Sequence, residues 1–128
     1  MELNEYQERA MTTCMDSCDN FSYMFINLVG EVGEFASKVA KQIRKGNVTV
    51  DENDTTSNLS GEFEYCDAVD YYRELKKEAG DILWQLSGLC RVMSWKLEDV
   101  AQANLDKLAA RKAAGTIDGS GDGIDRPK

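Results

Sequence analysis

Two apolar stretches, LVGEVGEFASK at 28–38 and LKKEAGDILWQL at 75–86, are each interrupted by two acids three residues apart. The pairs are Glu31 with Glu34, and Glu78 with Asp81. On an α-helix a three-residue step advances about 300°, so each pair shares one face. Those faces belong to stripes that should pack, and gathering like charges there is unfavourable unless a cation neutralises them. A divalent-metal site between two packed helices resolves the conflict. Gly30, Gly33 and Gly80 lie beside the acids. Each mid-helix glycine costs about 1 kcal/mol relative to alanine, so their grouping predicts a close helix approach that brings the carboxylates within reach of one ion.

The rest of the chain limits what such a site can serve. With 128 residues it makes one domain, and its sole proline, Pro127, leaves the body free to be helical. The net charge of −8 argues against a nucleic-acid polymer as partner. No apolar run reaches the length of a membrane span, and Met1-Glu2-Leu3 begins no signal peptide, so a soluble, cytoplasmic protein with no membrane partner is expected. Cys14, Cys18, Cys66 and Cys90 form no C-x-x-C, and no histidine is present to complete a mixed zinc site. They read as reduced, buried or half-buried thiols, with Cys14 and Cys18 one turn apart on a helix.

Periodicity predicts an all-α antiparallel four-helix bundle over residues 1–114, with a polar insert at 47–65 and a flexible glycine-rich tail at 115–128. The first helix is expected from Asn4 to Asp19, opened by an Asn4/Gln7 capping box. The second spans Phe21 to Lys45, with Met24, Phe25, Leu28, Val32, Phe35, Ala36, Val39 and Ile43 inward. The insert NVTVDENDTTSNLSGEFEY reads as a long loop. A third helix covers Asp67 to Met93, with Tyr71, Leu75, Ala79, Ile82, Leu83, Leu86, Leu89 and Met93 inward. A turn at Ser94-Trp95-Lys96 leads to a fourth at Glu98–Ala114, whose stripe is Val100, Ala101, Leu105 and Leu108, closed by Gly115.

Oxygen donors suit hard cations, so Mg²⁺, or Mn²⁺, is expected rather than zinc or copper. Magnesium keeps positions open for phosphate oxygens, which makes a phosphorylated molecule the natural ligand of four carboxylates. The competing reading is that all four acids are solvated surface charges. Trp84, three residues after Asp81, could stack on a base. Asn27, one turn before Glu31, could bond a base edge, and Trp95 is a further stacking candidate. For each of the three, ordinary packing is the rival account.

The two acidic segments, followed by ANLDKLAARKAAGTIDGSGDGIDR at 103–126, resemble the all-α nucleoside triphosphate pyrophosphohydrolases of the MazG-like group. The opening Asn4-Glu5-Tyr6-Gln7 is similar to the start of small members, and VGEVGE to the dCTP pyrophosphatase branch. The resemblance implies hydrolysis of (d)NTPs to (d)NMP and pyrophosphate, as housecleaning of the nucleotide pool. It implies that Glu31, Glu34, Glu78 and Asp81 ligate Mg²⁺, with Glu34 orienting or deprotonating the attacking water. Asn104, Lys107 and Arg111 match an N-x-x-K-x-x-x-R pattern that contacts the triphosphate, although basic residues there also suit the negative end of a helix dipole. The GSGD segment ending in Arg126 is similar to a C-terminal stretch that could close over phosphates. Homodimers or homotetramers are the family's usual assemblies. Two departures stand out: many members carry a glutamate where this chain has Gly30, and the insert lengthens the gap between the motifs. Two readings outside enzymology remain, a non-catalytic nucleotide or metal sensor and a helical adaptor.

Overall fold

The computed structural model describes residues 1–53, 55–59 and 62–119. Four helices carry the described chain: α1 (Leu3–Met11), α2 (Phe21–Arg44), α3 (Tyr65–Val92) and α4 (Leu97–Ala113). A two-stranded antiparallel hairpin, β1 (Val48–Val50) and β2 (Thr55–Ser57), connects α2 to α3. The all-α expectation holds, with this small sheet added. No described helix is long and apolar enough to cross a membrane.

The long pair α2 and α3 forms the frame. Asn20 caps α2, its Oδ1 accepting from the Tyr23 N–H at 2.9 Å. Asp67 accepts from the Glu64 N–H at 2.9 Å to open α3. Both helices match their predicted spans to within two residues. The turn at 94–96 and the closing Gly115, at φ +71°, are also where the sequence puts them.

Helix α1 is shorter than predicted. It stops at Met11, and the Thr12 and Thr13 hydroxyls donate back to the carbonyls of Arg9 and Ala10 at 2.6 and 2.7 Å. Such local bonds compete with helix continuation. Cys14 and Cys18 therefore do not share a helix face: Cys18 ends a separate 3-10 turn, Asp16–Cys18. All four cysteines are free, but Cys66 is exposed rather than half-buried.

The predicted capping box is also absent. Asn4 Oδ1 accepts from the Glu98 N–H at 3.0 Å, and Gln7 Oε1 from the Leu97 N–H at 3.0 Å. The Gln7 amide donates to the carbonyls of Ser87 and Trp95. These two residues cap α4 from across the fold instead of capping their own helix.

The insert is not wholly a loop. Val48 and Phe63 are buried with Ala68, Tyr71 and Leu75, and Phe35 and Val39 pack against them. The hairpin thus closes one end of the α2–α3 pair. At the other end the seam holds Met24, Gln85 and Gly88, all buried. Part of the predicted interior lies outside it. Phe25 and Val32 are each 52% exposed, Ile43, Leu83, Leu86, Met93, Leu105 and Leu108 are exposed, and so are Ala36 and Ala79.

Candidate metal centre between α2 and α3

Because α2 and α3 run antiparallel, moving up one helix means moving down the other. Met24 meets Gly88, Asn27 meets Gln85, and Lys38 meets Glu74 and Glu78. Glu31 falls between these pairs, opposite Glu78 and Asp81. Glu31, Glu78 and Asp81 each offer one carboxylate oxygen, and the three atoms lie within 4.8 Å of one another. Three of the four predicted acids are therefore brought together.

The fourth is not. Glu34 is exposed and stands outside that group, although its charge is one of those that raise the Glu31 pKa. Burial is the largest cause of that rise, followed by the charge of Asp81; the Asn27 hydrogen bond opposes it, and Glu78 adds to it. Negative charge collected at one point, offset only in part by Lys38 beside Glu78, is what a hard cation needs, so the donor set fits Mg²⁺ or Mn²⁺.

A chain of charges that crosses from α3 to Lys38 of α2 and back leads into the cluster. Lys77 Nζ pairs with Glu74 at 2.9 Å, Glu74 with Lys38 at 3.4 Å, and Lys38 with Glu78 at 3.3 Å. The hydrogen bond to Glu78 is the main reason the Lys38 pKa is raised. Sequence reading missed Lys38, yet it lies seven residues after Glu31, on the same helical face. It also missed Tyr6 of α1, whose hydroxyl is held above its usual pKa by burial and then by the charge of Asp81. Nothing in the spacing of one helix could have announced that neighbour.

Gly30, Gly33 and Gly80 do not mark the predicted close approach of the helices. A Cβ at Gly33 or Gly80 would meet no atom within 4 Å, and one at Gly30 would meet only Asn27, on its own helix. The close approach between helices is at Gly88, where a Cβ would collide with the sulfur and methyl of Met24.

The Trp84 indole N–H donates to the Ala10 carbonyl at 3.1 Å and the Thr13 hydroxyl at 2.9 Å, docking α3 on the end of α1. The Asn27 amide reaches Tyr23, Glu31 and Gln85. Trp95 is half-exposed beside a hollow lined by Asp99, Val100 and Ala103. On α4, Asn104 is exposed while Lys107 and Arg111 are half-buried. Among the described residues no hydrogen bond or ion pair joins Asn104 or Lys107 to the carboxylates. Arg126 lies outside the described residues.

Comparison with known proteins adds two findings. The family model for the MazG nucleotide pyrophosphohydrolase domain matches residues 20–115. "Gene 37 protein" of Mycobacterium phage L5 is 35% identical over 130 residues, covering 95% of this chain and 98% of the relative. No solved structure matches. The matched span contains all four acids and the N-x-x-K-x-x-x-R segment.

Proposed function

From the premise that the chain belongs to the MazG nucleotide pyrophosphohydrolase family, we propose that it is a Mg²⁺-dependent hydrolase converting (d)NTP to (d)NMP and pyrophosphate in nucleotide-pool housecleaning. The observation that carries this reading is the meeting of Glu31, Glu78 and Asp81 oxygens within 4.8 Å across the α2–α3 seam. Those three residues would hold the cation, and Glu34, one turn along α2, would complete the set or act beside it. A bound divalent ion neutralises phosphate oxygens and lowers the pKa of a coordinated water.

The chain's own residues supply the rest. The exposed Glu34 carboxylate is free to turn toward substrate and take the proton of the attacking water. The water oxygen bonds to the α-phosphorus while the bond to the α–β bridging oxygen breaks, releasing pyrophosphate. Lys107 and Arg111, with Asn104 on the same α4 face, would meet the triphosphate, joined by Arg126 from the tail. A substrate drawn to a chain of charge −8 needs such local cations. Trp84, half-buried with its N–H bonded to the end of α1, would offer its ring to the base. Mn²⁺ would substitute for Mg²⁺ on the same donors.

The test is pyrophosphate release over a panel of dNTPs with Mg²⁺, for the native chain and Glu34→Gln. Turnover by the native chain that falls at least 100-fold in the variant is the expected result. Metal-dependent nucleotide binding without turnover would make the protein a sensor. Loss of both binding and turnover in the native chain would leave a helical adaptor.

A further inference from the structure

Gln85 is 1% exposed, a polar side chain in the middle of a helix seam. Its amide is fully engaged there. Nε2 donates to the Met24 carbonyl at 3.3 Å, and Oε1 accepts from Asn27 Nδ2 at 3.0 Å. Asn27 Nδ2 also reaches Glu31 Oε1, at 3.2 Å. Two hydrogen bonds therefore link a buried amide on α3 to a carboxylate of the acidic cluster on α2.

The backbone beside Glu31 preserves this arrangement. A Cβ at Gly30 would lie 3.1 Å from Asn27 Oδ1, closer than an ordinary contact. The absent side chain leaves the Asn27 amide room to stay turned between Gln85 and Glu31. An apolar residue at 85 would serve helix packing equally well, so packing alone does not explain the amide. Carboxylates that ligate metals are typically held by hydrogen bonds from residues behind them.

We infer that Gln85 and Asn27 are positioning residues, a relay that fixes the Glu31 carboxylate for a divalent cation, with Gly30 keeping the relay clear. This rests on the proposed metal role of Glu31. It reassigns Asn27 from a contact with the base to a support for the metal ligand. Gln85 acts through Asn27, so the two contribute in series rather than side by side.

The experiment is a Mn²⁺ titration of the full chain without nucleotide, followed by calorimetry, with thermal melts run in parallel. Asn27→Ala and Gln85→Met should each weaken Mn²⁺ about 10-fold. The double variant should lose no more than Asn27→Ala alone. Gly30→Ala should also weaken Mn²⁺, while its melting temperature is unchanged or higher because alanine favours helix. That combination is one a merely structural role would not produce. If Gln85→Met fails to fold, Asn27→Ala and Gly30→Ala still decide the matter. Affinity within about twofold of native in Asn27→Ala overturns the relay, provided Glu31→Gln abolishes binding. Losses that add in the double variant overturn the series arrangement. A native chain that ignores Mn²⁺, or Glu31→Gln binding as tightly as native, sinks the metal reading and the relay together.

Discussion

A methyl group at residue 88 would run into the sulfur of Met24, whereas one at residue 80 would touch nothing. The two glycines therefore respond oppositely to the same change. Gly80→Ala should raise stability by about 0.5–1 kcal/mol through helix propensity. Gly88→Ala should lower it by about 1 kcal/mol or more, because Met24 is fully buried and must move. Urea denaturation of both variants checks the signs. The sequence shows that a glycine lies mid-helix but not what faces it, which is why the three glycines near the acids drew an explanation that belongs to Gly88.

Glu31 gives a pH prediction at the same scale. Its folded pKa is raised, so the native metal-free state binds a proton more readily than the unfolded chain does. That favourable contribution is complete below the unfolded carboxylate pKa and is lost as pH rises through the folded one. Without metal, Glu31→Gln should therefore be more stable than native at pH 7, with the gap closing toward pH 4. Chemical denaturation in the presence of a chelator at both pH values tests this. A gap independent of pH would show that the carboxylate's charge is not the cause.

Among the elements, α4 depends on another helix for its start. Its first N–H groups donate to Gln7 and Asn4, while the Gln7 amide satisfies two carbonyls near the end of α3 and the turn. Removing a helix cap costs about 1 kcal/mol, and leaving buried polar groups unpaired costs about 1–3 kcal/mol. Gln7→Ala should thus destabilise more than Asn4→Ala in equilibrium unfolding. Equal effects would mean that Gln7 serves only as a cap. The spacing of Asn4 and Gln7 is legible as a capping pattern, but local spacing does not say which helix is capped. By contrast the spans of α2, α3 and α4 are legible, because periodic apolar residues mark each stretch and Gly115 closes the last. The carboxylate cluster was legible for the same reason. Glu31, Glu78 and Asp81 sit at helical spacing on faces that meet, whereas the distance of Glu34 from the group depends on helix rotation, which no spacing reports.

At the scale of the molecule, apolar residues outnumber the places this single chain has to bury them. Phe21, Phe25, Ile26, Val29 and Val32 on α2 are each more than half exposed, and the first two rings stack with centroids 5.6 Å apart. We propose that a second copy covers this stripe, giving a homodimer or homotetramer. Light scattering should return a multiple of the chain mass, and Val29→Glu should shift the mass toward the monomer. A monomeric native protein would overturn the proposal. Periodicity identified Phe25 and Val32 as members of an apolar face; it carries no information on whose residues cover that face.

The insert between the acidic motifs has a further consequence for anyone wishing to shorten the protein. Val48 and Phe63 plug the end of the helical pair, so excision of the whole segment would strip the lid from Ala68, Tyr71 and Leu75. Among the described residues, 51–53 follow the last paired residue of β1 and offer the place to shorten the segment. Trimming there should leave the protein intact, and natural variation in length should be tolerated at that same place.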